Sequence, residues 1–164
     1  PIIMLPCVFT SALSMVAMPR IAKAEEAPRE LKRLLMLCFA SCIPIGLMCA
    51  GAVYASAPLL ANRVYRLAEL TELFRFSAPL TLLLALAHLT GGITASLGQQ
   101  KRSMYGALAV SLLTLALTCW LTPLPGLRLH GVIIAQAAGE ALHVMWNTGV
   151  LFLWRHERRS LQAR

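Results

Sequence analysis

The sequence predicts an all-α integral membrane protein with about five transmembrane helices, and three observations support this fold class. Hydrophobic residues make up 58% of the 164 residues, well above the roughly 45–50% that is usual for soluble domains. The mean hydropathy is +0.68. Charged residues are confined to short segments between five long stretches, of which four carry no charge and the fifth carries only Glu140.

These five stretches define the five predicted helices. A helix needs about 20 predominantly apolar residues to cross the hydrocarbon core of a bilayer. The predicted spans are therefore approximately 1–19, 35–57, 77–97, 104–121 and 131–154. They form one transmembrane helical bundle over residues 1–154, and residues 155–164 form a basic tail. Little of the chain remains for a soluble domain.

Proline and glycine residues predict where several of the helices end, kink or turn. Pro19 is expected at the end of the first helix, and Pro44 is expected to kink the second. Residues 61–74 are predicted to form a short interfacial helix before the third span. Gly98 is predicted to cap the third helix. Residues 123–126 (PLPG) are predicted to form the turn before the fifth helix.

The distribution of basic residues predicts the orientation of the chain in the membrane. Eleven of the fifteen Lys and Arg residues lie in segments 20–33, 101–102 and 155–164, and four lie in the second and fourth connections. Cytoplasmic loops carry an excess of Lys and Arg. The first loop, the third loop and the C-terminus are therefore expected to be cytoplasmic. This alternation explains the net charge of +8 without a nucleic-acid partner.

A stripe of polar side chains in the last span is the strongest indication of a functional site. Gln136, Glu140, His143 and Asn147 follow one another at spacings of four, three and four, so they share one helix face. A carboxyl at membrane depth costs about 2.5 kcal/mol or more and is rarely kept without a partner or a polar cavity. Two interpretations remain open: a polar cavity that serves as a substrate route, or a buried hydrogen-bond network between helices.

Other residues give weaker indications. His88 lies in the middle of the third span, where it is interpreted either as a proton carrier or substrate donor, or as a hydrogen-bonded packing residue. The five cysteines lie inside predicted spans without a CxxC or Cys/His metal spacing. No nucleotide or metal motif occurs. The sequence therefore predicts no metal site, no cofactor and no enzyme activity.

Four short motifs occur in order along nearly the whole chain. They are residues 5–6, 11–14 and 19–21 (LP, SALS and PRI), 44–47 (PIGL), 91–101 (GGITASLGQQK) and 129–135 (LHGVIIA). As an ordered set they resemble the C-terminal lobe of polysaccharide-biosynthesis, stage V sporulation protein B-like flippases, which are similar to lipid II flippases. These flippases belong to the multidrug/oligosaccharidyl-lipid/polysaccharide (MOP) exporter superfamily.

The resemblance implies a partial MOP/MATE-like lobe that corresponds to helices eight to twelve of a transporter with two six-helix lobes. Such a transporter would flip lipid-linked oligosaccharide or polysaccharide precursors across the cell membrane by alternating access. Its partners would be membrane lipids, the lipid-linked saccharide and an N-terminal lobe on the same or a separate chain. The chain starts at Pro1 in an apolar stretch, so it is expected to be the C-terminal piece of a larger transporter. Arg20 is the nearest candidate for a pyrophosphate contact.

Two other functions are kept as alternatives. A cation-coupled multidrug exporter of the same superfamily would use Glu140 to carry a proton or pair with Na⁺, and apolar walls to hold the drug. A non-transporting remnant or assembly subunit is the other alternative, since the chain covers only part of a two-lobed transporter. In the flippase, by contrast, the polar stripe would bind sugar hydroxyls or a coupling cation.

Overall fold

The computed structural model describes residues 5–24 and 27–162, which form five α-helices without a β-strand. The helices are α1 (Leu5–Lys23), α2 (Pro28–Leu59), α3 (Leu70–Ser96), α4 (Gln100–Leu121) and α5 (Arg128–Gln162). The predicted all-α class and the five helices are confirmed. The first four residues of the first predicted helix lie outside the described part of the chain.

Three segments are long and apolar enough to cross a membrane, namely Pro28–Tyr65, Leu70–Ser96 and Gln100–Leu121. Over the described residues, α1 and α5 are not among them. The described part of α1 is 19 residues long and includes a basic last turn. The apolar stretch of α5 contains the polar stripe itself. Of the five predicted transmembrane helices, length and composition therefore support three.

The helices extend beyond the apolar stretches from which they were predicted. α1 continues through Pro19 to Lys23, so the prediction that it ends at Pro19 is wrong. α2 starts at Pro28, because proline is well tolerated in a first turn, and it continues through Pro44.

The predicted cap at Gly98 is confirmed: this residue has φ 72°, and the next amide, that of Gln99, donates to the Thr94 carbonyl at 3.0 Å.

The predicted interfacial helix over residues 61–74 is wrong. A π-helical segment, Leu60–Tyr65, continues directly from α2. It ends at Arg66, which has a left-handed φ of 55°, and the Leu67 amide donates back to the Ala61 carbonyl at 2.9 Å. α3 then begins at Leu70. The segment is therefore divided between two helices, because the left-handed residue ends the first before the second begins.

α3 is the central helix of the bundle and packs against α1, α2 and α5. Two glycines allow close approach at these contacts. A Cβ on Gly46 of α2 would lie 2.6 Å from Leu82 Cδ1, and one on Gly92 of α3 would lie 3.1 Å from Ser14 Oγ of α1. The buried core beside α3 includes Cys38 and Cys42, which pack there as small side chains.

α4 lies at the edge of the bundle and packs mainly against α5. Among the described residues of α4, Gly106 alone is buried. A Cβ there would overlap the Trp146 indole of α5. At the other end of the pair, a Cβ on Gly131 would lie 3.0 Å from the Leu121 backbone. The α4–α5 hairpin is thus held closely at both ends, and the candidate site lies between them.

A polar groove between α4 and α5 as the candidate functional site

Three members of the polar stripe contact one another along the inner part of α5. The Gln136 Nε2 donates a hydrogen bond to Glu140 Oε1 at 2.9 Å. The Nδ1 of His143 lies 4.0 Å from Glu140 Oε2. The Glu140 side chain is 17% exposed and that of His143 is 25% exposed. The carboxyl therefore has a polar partner on each side along its own helix, as the predicted spacing requires.

The hydroxyl groups of α4 face this stripe across a cavity of about 320 Å³. Ser111, Thr114 and Thr118 line it from α4, and Gln136, Glu140 and His143 line it from α5. The Thr114 and Thr118 hydroxyls each donate at 2.8 Å to a carbonyl of their own helix. Their oxygens consequently remain able to accept hydrogen bonds from a bound group.

Gly139 sets the separation of the two helices beside Glu140. A Cβ at this position would overlap the Thr114 Oγ1 and would lie 3.2 Å from the Thr114 Cβ. Thr114 therefore both packs against α5 and contributes to the cavity wall. The sequence did not single out Gly139, although a small residue next to an intramembrane carboxyl is the available signal for such close packing.

The residues that line the cavity include neither Lys nor Arg. Its charged and titratable groups are Glu140 and His143, and the remaining polar groups are an amide and hydroxyls. This composition suits a polyol or a cation better than an anion, because an anion would lie near a carboxyl without a neighbouring basic side chain.

Asn147 belongs to a separate contact. Its side chain is fully buried, and its Oδ1 accepts a hydrogen bond from Ser103 Oγ of α4 at 2.9 Å. A Cβ on Gly91 of α3 would lie 3.7 Å from its Nδ2, a nitrogen that has no hydrogen-bond partner among the described residues. Asn147 thus lies where α3, α4 and α5 meet, and it does not line the cavity. The sequence did not identify its partner Ser103.

The two other predicted site residues lie away from the groove. His88 is exposed on α3, although its neighbours Ala87 and Leu89 are buried. Arg20 is exposed in the last turn of α1. Neither residue lines the cavity. The structure therefore brings together Gln136, Glu140 and His143 with the α4 hydroxyls, and it does not bring His88 or Arg20 to them.

Over the described residues, no group of three or more His, Cys, Asp or Glu side chains could hold a metal ion. Comparison with known proteins gives no relative for this chain. No family model, curated protein or solved structure matches it.

Proposed function

We propose that this chain is part of a membrane transporter that flips a lipid-linked oligosaccharide or polysaccharide precursor by alternating access. The supporting observation is the polar groove halfway along α4, in a helix whose other side chains are mostly apolar and exposed. A polar substrate that crosses the hydrocarbon core needs protein groups that replace its hydrogen bonds to water. The hydroxyls of α4 and the amide and carboxyl of α5 provide such groups.

The chemistry of the groove fits sugar hydroxyls. A sugar hydroxyl can donate to the Glu140 carboxyl or to a Thr114 hydroxyl oxygen, and it can accept from the Ser111 hydroxyl. Transport of this kind needs no covalent chemistry, so we propose a protein that is not an enzyme. The pyrophosphate of a lipid-linked sugar would require basic groups outside the groove, since the lining residues include no Lys or Arg.

The proposed location is the cell membrane with a cytoplasmic C-terminus. Exposed Arg155 near the end of α5 and exposed Lys101 and Arg102 at the start of α4 support this orientation. We further propose that alternating access requires an N-terminal lobe on the same or a separate chain. The outward apolar side chains of α4, such as Leu112 and Leu115, are exposed in this structure and are available to lipid or to that lobe.

A cation-coupled multidrug exporter is the second candidate, and the approach of His143 to Glu140 favours it. These two groups are 4.0 Å apart and together offer a site for a proton or a cation in the groove. A third candidate, an assembly subunit without transport activity, predicts that the groove residues matter only for stability. The three candidates therefore differ in what they expect from a variant of Glu140.

The decisive experiment compares Glu140→Gln with Glu72→Gln in the native protein that contains this chain. Glu72 is an exposed carboxyl in the first turn of α3, so it provides a chemically identical substitution outside the groove. Both variants are reconstituted into proteoliposomes that contain a fluorescent lipid-linked saccharide. Flipping is measured as the fraction of fluorophore that a membrane-impermeant quencher reaches over time.

We expect Glu140→Gln to lose most of the flipping activity and Glu72→Gln to retain it. If both variants flip the lipid at the native rate, the groove does not lie on the substrate route. If neither the native protein nor the variants flip the lipid, but a pH gradient drives export of a hydrophobic drug that Glu140→Gln abolishes, the exporter replaces the flippase. If no transport occurs with either substrate, the assembly subunit remains.

A further inference from the structure

A second groove runs along the α4–α5 pair, on a different side from the polar groove. It has a volume of about 500 Å³. Ala109 and Leu113 line it from α4, and Met145, Gly149 and Leu153 line it from α5. None of its lining residues is charged. Its Trp146 indole already donates its N–H to the Arg102 carbonyl at 3.1 Å, so this donor is not available to a ligand.

Charged residues lie at one end of this apolar groove. Arg102 precedes Ala109 by seven residues on α4, and Glu157 follows Leu153 by four residues on α5, so each continues the groove-lining row of its helix. The Arg102 Nη2 and the Glu157 Oε1 form an ion pair at 3.2 Å, and both side chains are about half exposed. The groove therefore changes from apolar to polar along its length.

The charge at this end is positive overall. Lys101 and Arg155 are exposed next to the ion pair in sequence, and Arg158 lies over the Trp154 ring at 5.2 Å. Segments 100–106 and 150–160 contain these basic residues and Arg102, but only one carboxyl side chain, that of Glu157. An anionic group is consequently attracted to this end of the groove, and each basic residue near a membrane surface contributes about fivefold to the binding of anionic lipid.

We propose that the groove binds one acyl chain of an anionic phospholipid, with the lipid phosphate at the Arg102–Glu157 end. Hydrocarbon fills an apolar groove in a bilayer with favourable dispersion contacts, which an unfilled groove would forfeit. The basic end selects a lipid with a negative headgroup. A second copy of the chain is a poorer occupant, because a symmetric pair would place its basic ends side by side. This site is independent of what the polar groove carries.

Two glycines allow a matched test of the acyl-chain site. A Cβ on Gly149 in the groove, or on Gly51 on the exposed side of α2, meets no atom within 4 Å. Gly149→Leu therefore adds a side chain to the groove from a Cβ position with open space around it, and Gly51→Leu adds the same side chain elsewhere. The native protein and both variants are reconstituted with phosphatidylglycerol or phosphatidylcholine that carries a photoactivatable acyl chain. Labelled peptides are then identified by mass spectrometry.

We expect phosphatidylglycerol to label segments 109–113 and 142–153 of the native protein and of Gly51→Leu. Gly149→Leu should lose most of this labelling. At limiting lipid, Arg102→Gln should lower phosphatidylglycerol labelling by about fivefold, whereas Arg63→Gln, an exposed control on the π-helical segment, should not.

Three results would overturn the proposal. Equal labelling by phosphatidylcholine and phosphatidylglycerol would show that the basic end does not favour an anionic headgroup. Unchanged labelling in Gly149→Leu would place the acyl chain elsewhere. Crosslinking of the groove segments to a second copy of the chain, in place of lipid, would identify the groove as a protein interface.

Discussion

Replacement of Gly139 by alanine tests the packing that shapes the polar groove. Three atoms of Thr114 lie within 3.3 Å of the position that the new Cβ would take, and the Oγ1 overlaps it. Because the Thr114 hydroxyl donates to the Val110 carbonyl at 2.8 Å, the side chain cannot rotate away without losing that bond. Overpacking of this kind costs about 1–3 kcal/mol, while the change from glycine to alanine gains at most about 1 kcal/mol in helix propensity.

We therefore expect Gly139→Ala to lower the free energy of unfolding by up to about 2 kcal/mol. Gly149→Ala on the same helix is the control, since its Cβ meets no atom within 4 Å, and it should be neutral or slightly stabilising. Thr114→Ala combined with Gly139→Ala should recover most of the loss. The assay is unfolding in mixed detergent micelles, followed by circular dichroism. Equal stability of the two glycine variants, or no recovery in the double variant, would refute the proposed contact.

Three further predictions concern the neighbouring polar residues. Ser103→Ala should destabilise the protein by about 1–3 kcal/mol because buried Asn147 loses its partner, and a second change, Asn147→Leu, should recover stability in the same unfolding assay. Glu140→Gln should change the unfolding free energy by less than about 1 kcal/mol, since an amide can still accept a hydrogen bond; a larger loss indicates a structural role. Cysteine at Ser111 should react with a water-soluble maleimide faster than cysteine at exposed Leu112, as measured by peptide mass spectrometry, and equal rates would contradict a hydrated groove.

The sequence was sufficient to predict the five apolar helices and their order, because uncharged stretches separated by charged loops set both. It also predicted that Gln136, Glu140 and His143 share a face, since this depends only on the helical repeat. The helix ends were predicted less well. Charged and interfacial residues continue α2 and α3 outside their apolar stretches, and hydropathy gives no sign of where such a helix stops.

Helical periodicity does not identify the helix that lies opposite a given face. Gln136 and Asn147 are eleven residues apart, or about 16 Å along a helix axis, so neighbouring side chains change over that distance. The first faces the cavity beside α4, and the second lies against Ser103 and near Gly91. His88 shows the same limitation, because its exposure depends on which sides of α3 the other helices cover.

The polar groove places a requirement on the surroundings of α4. α4 is otherwise covered with exposed apolar side chains, and Ser111 at the groove is itself exposed. The Glu140 carboxyl and the Thr114 and Thr118 hydroxyls have hydrogen-bond partners on their own helices, but their remaining acceptor positions would be unsatisfied if the groove faced hydrocarbon, which is costly. The groove must therefore face water or another protein element. A transporter lobe provides such surroundings, because its cavity is hydrated and a second lobe closes it. A structural hydrogen-bond network, by contrast, would be fully satisfied within the described helices. The open volume beside Glu140 favours the cavity over the network.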